Sequence, residues 1–166
     1  LINNKEMILH VYDAAIKTNL GDVYVATPDQ KIINLIEDNG GEAIKTSLSH
    51  QTGTDRVYEV FKNQLKSEPN IIINLQGDMP NIDPKDIANL ITYMNERKCD
   101  IGTLASSFIS DKEIANINNV KVAVNNPLKN NQFDKAIDFF RKDEKKYEYF
   151  YHHVGIYAFT NKALVR

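Results

Sequence analysis

The chain has 166 residues, enough for one compact domain with a sizeable core and hardly enough for two, so a single domain over residues 1–166 is expected. Its 20 basic and 22 acidic residues leave a net charge of -2, which argues against a non-specific nucleic-acid binder, since that needs a basic surplus to release counterions. No apolar run approaches the roughly 18 residues that span a bilayer, and 42% hydrophobic with 25% charged residues is ordinary for a soluble globular protein.

The elements alternate along the chain. Met7, Ile8, Val11, Ala14 and Ala15 recur at helical spacing, and Val23 to Ala26 is a short β-branched run that reads as a buried strand. Thr27-Pro28-Asp29-Gln30 reads as a helix start, with Thr27 as cap, Pro28 in the first helical position and Gln30 completing a capping box. Ile32, Ile33 and Ile36 give that helix its apolar face, and Gly40-Gly41 ends it. Glu42 to Lys45 is a short strand; Val57, Val60, Phe61 and Leu65 mark a helix. Ile71 to Leu75 is the strongest buried strand in the chain, and Asp83-Pro84-Lys85-Asp86 opens a capped helix carrying Ile87, Leu90, Ile91 and Met94. Further strands are expected near Asp100 to Ala105, Val120 to Val124, Ala136 to Phe140 and Tyr151 to Phe159. The Asn-rich stretches Asn116 to Asn119 and Asn125 to Asn131 read as loops. This alternation predicts an α/β fold with a largely parallel sheet and helices on both faces.

Cys99 is the only cysteine, so no internal disulfide can form and a thiolate metal site is not expected. Polar and charged residues follow Leu1 to Lys5 at once, which gives no secretory signal and an expected cytoplasmic location.

In an open α/β sheet, ligands bind beyond the carboxyl ends of the strands, and two polar segments lie there. In His50-Gln51-Thr52-Gly53-Thr54-Asp55-Arg56, Gly53 lets backbone approach a ligand, Thr54 and Asp55 offer oxygens, and Arg56 offers a planar donor fork. The plainer reading of that segment is a loop with a helix cap at Thr54 or Asp55. Gln76-Gly77-Asp78-Met79-Pro80 directly follows the strongest strand, where a carboxylate can hold a magnesium ion; the plainer reading of Asp78 is a turn residue. His152-His153-Val154-Gly155-Ile156-Tyr157 sets imidazole and phenol groups on an apolar strand, although single histidines there are more often structural. Arg141, after Phe139-Phe140, is either functional or a solvated flank.

Taken together, these segments resemble the 3-deoxy-manno-octulosonate (Kdo) cytidylyltransferase family, the CMP-Kdo synthetases. Ile2 to Val11 resembles "INGKPMIxHV", and Val23 to Thr27 matches "VATD" with Pro28 at the aspartate. Gly40-Gly41-Glu42 followed by His50 to Arg56 resembles "GGE…HxSGTDR", and Asn74 to Pro80 matches "NxQGDEP" with Met79 for the glutamate. Asn119 to Val122 resembles "VKVV", Ala136 to Arg141 is similar to "ALYFSR", and His153 to Phe159 resembles "HxGIYGF".

The resemblance implies a Rossmann-like nucleotidyltransferase fold, a homodimer, and magnesium-dependent transfer of CMP from CTP to Kdo. It implies Asp78 as a catalytic magnesium ligand and Gln76 as a catalytic contact in the sugar and nucleotide cleft. Gly53, Thr54, Asp55 and Arg56 become nucleotide-site residues, and Arg141, His153 and Tyr157 sugar-side contacts, the arginine suiting a carboxylate. It also implies that a phosphate-binding loop and a late metal-binding aspartate belong to the family's site beyond the positions matched here. The charged run Lys142 to Lys146 stands where the family has an Ile-Pro element. The neighbouring readings are a cytidylyltransferase for another acidic sugar, such as a sialic acid, and a non-catalytic sugar-nucleotide-binding protein of the same fold.

Overall fold

A computed structural model describes residues 1–63, 69–129, 132–142 and 146–166. Leu65 of the expected third helix, residues 130–131 of the second Asn-rich loop and residues 143–145 of the charged run lie outside the described residues. The chain forms two compact units, one of Leu1–Gly102 with Ile156–Arg166 and one of Thr103–Gly155.

In the first unit, Asn3 and Asn4 both take positive φ (50° and 62°) and turn the chain so that Ile2 and Lys5 pair. Asparagine tolerates that left-handed backbone better than most residues. Helix α1 (Met7–Lys17) follows and packs on α4 (Pro84–Arg97). Leu9, Val11 and Ala14 are its buried residues, whereas Met7 is exposed at the helix start. Strand β1 (Tyr24–Thr27) pairs in parallel with β2 (Glu42–Lys45), and α2 (Gln30–Asp38), which connects them, packs on both.

The cap of α2 differs from the expectation. Asp29, not Thr27, is the cap and accepts from the Lys31 amide at 2.8 Å. Thr27 is still the last residue of β1, and its carbonyl accepts from the Thr46 amide, so it is committed to extended backbone. Its hydroxyl accepts from the Asp29 amide instead, while the Gln30 side chain donates forward to Asn34. At the other end Gly40 takes φ 74°, and the amides of Gly40 and Gly41 close back on the carbonyls of Glu37 and Ile36. That is a Schellman stop, the ending expected of the glycine pair.

Helix α3 (Gly53–Asn63) packs on β1 and β3 (Ile71–Asn74). Asp83 caps α4 by accepting from the Lys85 amide at 2.9 Å, with Pro84 next to it, and Ile87, Leu90 and Met94 are buried. Short α6 (Asn161–Leu164) is capped by Thr160 and packs on β3.

The chain passes between units inside β4 (Ile101–Ser106) and again inside β7 (Tyr149–Thr160), and the two strands pair. In the first unit the end of β7 pairs antiparallel with β3, setting Asn74 opposite Tyr157. In the second unit, α5 (Asp111–Ala115) precedes β5 (Lys121–Val124), whose four residues are all buried. β5 pairs antiparallel with β6 (Asp138–Phe140) and with the start of β7. The α/β class therefore stands, but the expected largely parallel sheet needs correction. Of the registered pairings only β1 with β2 is parallel, and those of β3, β5, β6 and β7 are antiparallel. A parallel neighbour needs a crossover of about a dozen residues, usually a helix, and no helix is described between β5 and β6.

One buried cation organises the second unit. Lys121 is fully buried, and its ammonium donates to the carbonyls of Asn116 (2.8 Å), Asn119 (3.0 Å) and Arg141 (2.7 Å). The guanidinium of Arg141 donates to the two carbonyls between them, those of Ile117 and Asn118, each at 3.2 Å. Two cations thus satisfy four consecutive carbonyls of the Asn-rich loop. Lys121→Met should cost about 3 kcal/mol, because it removes three charge-assisted hydrogen bonds from the buried ammonium to part-buried loop carbonyls. Chemical denaturation of the purified variant checks this; a midpoint equal to the parent's would show that the loop needs no cation.

Candidate functional site

The first cluster lies where β3 ends. Asn74 is the last residue of the strand and 4% exposed, so its carboxamide must find partners inside the protein. It donates to Thr54 Oγ1 at 3.2 Å and accepts from Gln76 Nε2 at 3.0 Å. Thr54 is in the first turn of α3, so this pair of bonds ties the helix start to the turn after the strand. Gly53 makes the approach possible: a Cβ there would stand 2.9 Å from Gln76 Nε2. Gln76, Gly53 and Thr54, three residues expected at the site, are brought together. Tyr157 is opposite Asn74 in the register, so the two side chains share a face of the pleat. Its ring stacks with Phe159, centroids 6.0 Å apart, and burial raises the phenol above its ordinary pKa.

Asp78 stands on the turn closed by the Met79 amide bonding to the Gln76 carbonyl at 3.3 Å. Its carboxylate is exposed, and among the described residues it enters no side-chain hydrogen bond or ion pair.

Two other expected nucleotide-site residues have structural partners. The Asp55 carboxylate accepts from the Thr52 hydroxyl at 2.7 Å, and its amide donates back to Thr52 Oγ1 at 3.1 Å. This is a capping pair with Thr52 as the cap, so the cap expected at Thr54 or Asp55 lies further upstream. Arg56 Nη1 donates to Thr46 Oγ1 at 2.5 Å and to the Ser47 carbonyl at 3.0 Å. Three residues on, Glu59 accepts from the Ser47 amide and bonds to His50 Nε2, which together hold its carboxyl below the ordinary range. Arg56 and Glu59 therefore fasten the loop after β2 onto α3. Glu59 was not expected from the sequence; its helical offset from Arg56 was the available signal.

The second unit holds Arg141 and His153. Arg141 spends Nη1 on loop carbonyls, as described above. His153 is half-buried, with the Phe139 ring edge-on at 5.1 Å and Nε2 2.9 Å from Thr103 Oγ1. Thr103 Oγ1 also reaches the Val154 carbonyl, at 3.3 Å. Burial pushes the imidazole below its ordinary pKa, and the charge of His152 adds to the shift. Among the described residues no group of three or more His, Cys, Asp or Glu is placed to hold a metal ion.

The direction of the His153 shift fixes a pH dependence. A base depressed in the folded state contributes stability above its unfolded pKa, about 6.5, and that stability is lost as pH falls through the folded value. His153 should titrate by NMR with a midpoint below that of free histidine. The melting temperature of His153→Gln should vary less than the parent's between pH 7 and pH 5, in a fluorescence melt at each pH. An ordinary midpoint would remove burial as the dominant influence.

Polar groups gathered at the end of a strand and the start of the facing helix mark an α/β protein of the kind that binds ligands beyond its strands. The chain belongs to the cytidylyltransferase family, whose model matches residues 1–166. It is 36% identical to the 3-deoxy-manno-octulosonate cytidylyltransferase of Brucella ovis over 167 residues, 99% of this chain and 66% of that protein. It is equally 36% identical to the 8-amino-3,8-dideoxy-manno-octulosonate cytidylyltransferase of Shewanella halifaxensis, covering 98% of this chain and 67% of that one. A solved structure of CMP:2-keto-3-deoxy-manno-octonic acid synthetase complexed with CTP superposes with a TM-score of 0.81 at 36% identity, over 97% of this chain and 66% of that one. The chain thus spans about two thirds of the length of such relatives.

Proposed function

We propose that the chain is the greater part of an enzyme that transfers CMP from CTP to 3-deoxy-manno-octulosonate, with release of pyrophosphate, for lipopolysaccharide biosynthesis. The observation that carries the reading is Gln76 set against Gly53 and tied through Asn74 to Thr54, just ahead of Asp78, in a chain 36% identical to proteins named for that reaction. The reading includes a Rossmann-like nucleotidyltransferase domain over residues 1–166 and a cytoplasmic homodimer. No helix among the described residues is long and apolar enough to cross a membrane.

In this reading the anomeric hydroxyl of the sugar attacks the α-phosphate in line with the departing pyrophosphate. Gln76 is held against Gly53 and orients a ligand group by hydrogen bonding. Asp78 fits a magnesium ion: it is an exposed oxygen-only donor, and magnesium takes one or two carboxylates beside waters and phosphate oxygens. When bound, that ion neutralises charge on the leaving pyrophosphate. Arg141 contributes positive charge toward a sugar carboxylate, with one guanidinium nitrogen anchored on the loop and further donors available. His153, held neutral near pH 7, offers its ring to a sugar hydroxyl without adding charge. Tyr157 presents its phenol beside Asn74.

A second sugar is favoured by the Shewanella relative, whose name specifies an amino group at carbon 8. Pyrophosphate release from CTP with each of the two sugars, and with a sialic acid, distinguishes these readings in the complete natural protein. Asp78→Asn should lower magnesium-dependent turnover about a hundredfold or more. Turnover within about threefold of the parent would return Asp78 to the role of a turn residue.

A further inference from the structure

Arg141 is held at both ends. At its root, the Arg141 carbonyl accepts from the buried ammonium of Lys121 at 2.7 Å. At its tip, Nη1 donates to the carbonyls of Ile117 and Asn118. Those two carbonyls stand in the chain between the two others that Lys121 takes, Asn116 and Asn119. The loop's own side chains hold the rest of its shape. Asn116 Oδ1 accepts from the Asn118 amide at 2.9 Å, and Asn119 Nδ2 donates to the Glu113 carbonyl at 3.0 Å. Both cations are unambiguous donors, because neither an ammonium nor a guanidinium carries an acceptor. One ammonium thus fixes the backbone from which the arginine springs and the loop on which its guanidinium rests.

A defined edge of the guanidinium is left over. Arg141 is exposed, and among the described residues its Nε and Nη2 enter no hydrogen bond. The N–H groups of that edge lie side by side in one plane, a match for the two oxygens of a carboxylate. An unrestrained arginine must lose its rotamer freedom when it captures such a group, which costs up to about tenfold in affinity. We propose that Lys121 is a positioning residue that holds Arg141 in place before binding, with the Nε and Nη2 edge ready for the carboxylate of an acidic sugar. The proposal rests on the reading of Arg141 as the sugar-side cation. Lys121 is fully buried, so it acts through the arginine and not on the substrate.

Steady-state kinetics of the complete natural protein test this, each variant being assayed well below its melting temperature. Arg141→Ala should raise KM for the sugar about a hundredfold and leave KM for CTP as in the parent. Lys121→Met should raise KM for the sugar about five- to tenfold, with kcat and KM for CTP nearly unchanged. Added to Arg141→Ala, Lys121→Met should raise it no further, since the group it positions is gone. The same factor in both backgrounds would give Lys121 a merely structural role and overturn the proposal. An unchanged KM for the sugar in Lys121→Met, or equal weakening of CTP and sugar, would overturn it as well. NMR of the parent supplies a readout that needs neither turnover nor a stable Lys121 variant. The Arg141 guanidinium, assigned by the signals lost in Arg141→Lys, should show distinct Nη1 and Nη2 protons at room temperature, because the loop blocks its rotation. A single averaged signal would remove the clamp while leaving the proposed activity standing. Conversely, an Arg141→Ala protein with the parent's KM for the sugar, or a parent that releases no pyrophosphate from CTP with any acidic sugar, would remove the reading on which the proposal rests.

Discussion

The arrangement at the end of β3 depends on one constraint: a carboxamide buried in an apolar strand must be fully hydrogen-bonded. Ile71 to Ile73 carry the strand into the protein, and Asn74 arrives with it. Its two bonds go to Thr54 on the facing helix and to Gln76 on the following turn. A demand made by burial thereby becomes a positional link among three segments. Gly53 completes the link by leaving room for the Gln76 amide.

The same logic governs the cations. Lys121, Arg141 and Arg56 each donate to backbone carbonyls of loops that lack a regular partner. Loops rich in asparagine and serine expose many backbone acceptors, and a multivalent donor satisfies several at once. Among the described residues every buried side-chain nitrogen and oxygen has a partner. The charges that hold the loops are therefore part of the fold before they are part of any site. Asp78 is the contrast, an exposed carboxylate with no such engagement among the described residues.

Much of this was legible from local chemistry. The Gly40-Gly41 stop, the Asp83-Pro84 helix start and the bounds of β2 follow from residue types whose preferences act within a few positions. The resemblance carried by segments such as Asn74 to Pro80 pointed to the family that the comparisons show. The Thr27 cap failed because the same residue was needed to finish β1, a competition that a local motif does not register.

By itself, then, the sequence determined the alternation of helices and strands, most helix ends and the segments where polar groups leave the strands. Tertiary structure alone decided the strand directions, because β7 finds its partners β3 and β5 through pairings far apart in the chain. It also decided what each polar side chain does. Arg56 and Asp55 look alike as site residues in a motif, yet one fastens a loop and the other closes a helix cap. Asn74 reads as the tail of an isoleucine run until folding buries it between Thr54 and Gln76. The reason is physical: propensity and capping act over a few residues, whereas the partner of a buried amide or ammonium is set by which distant segments the core brings together.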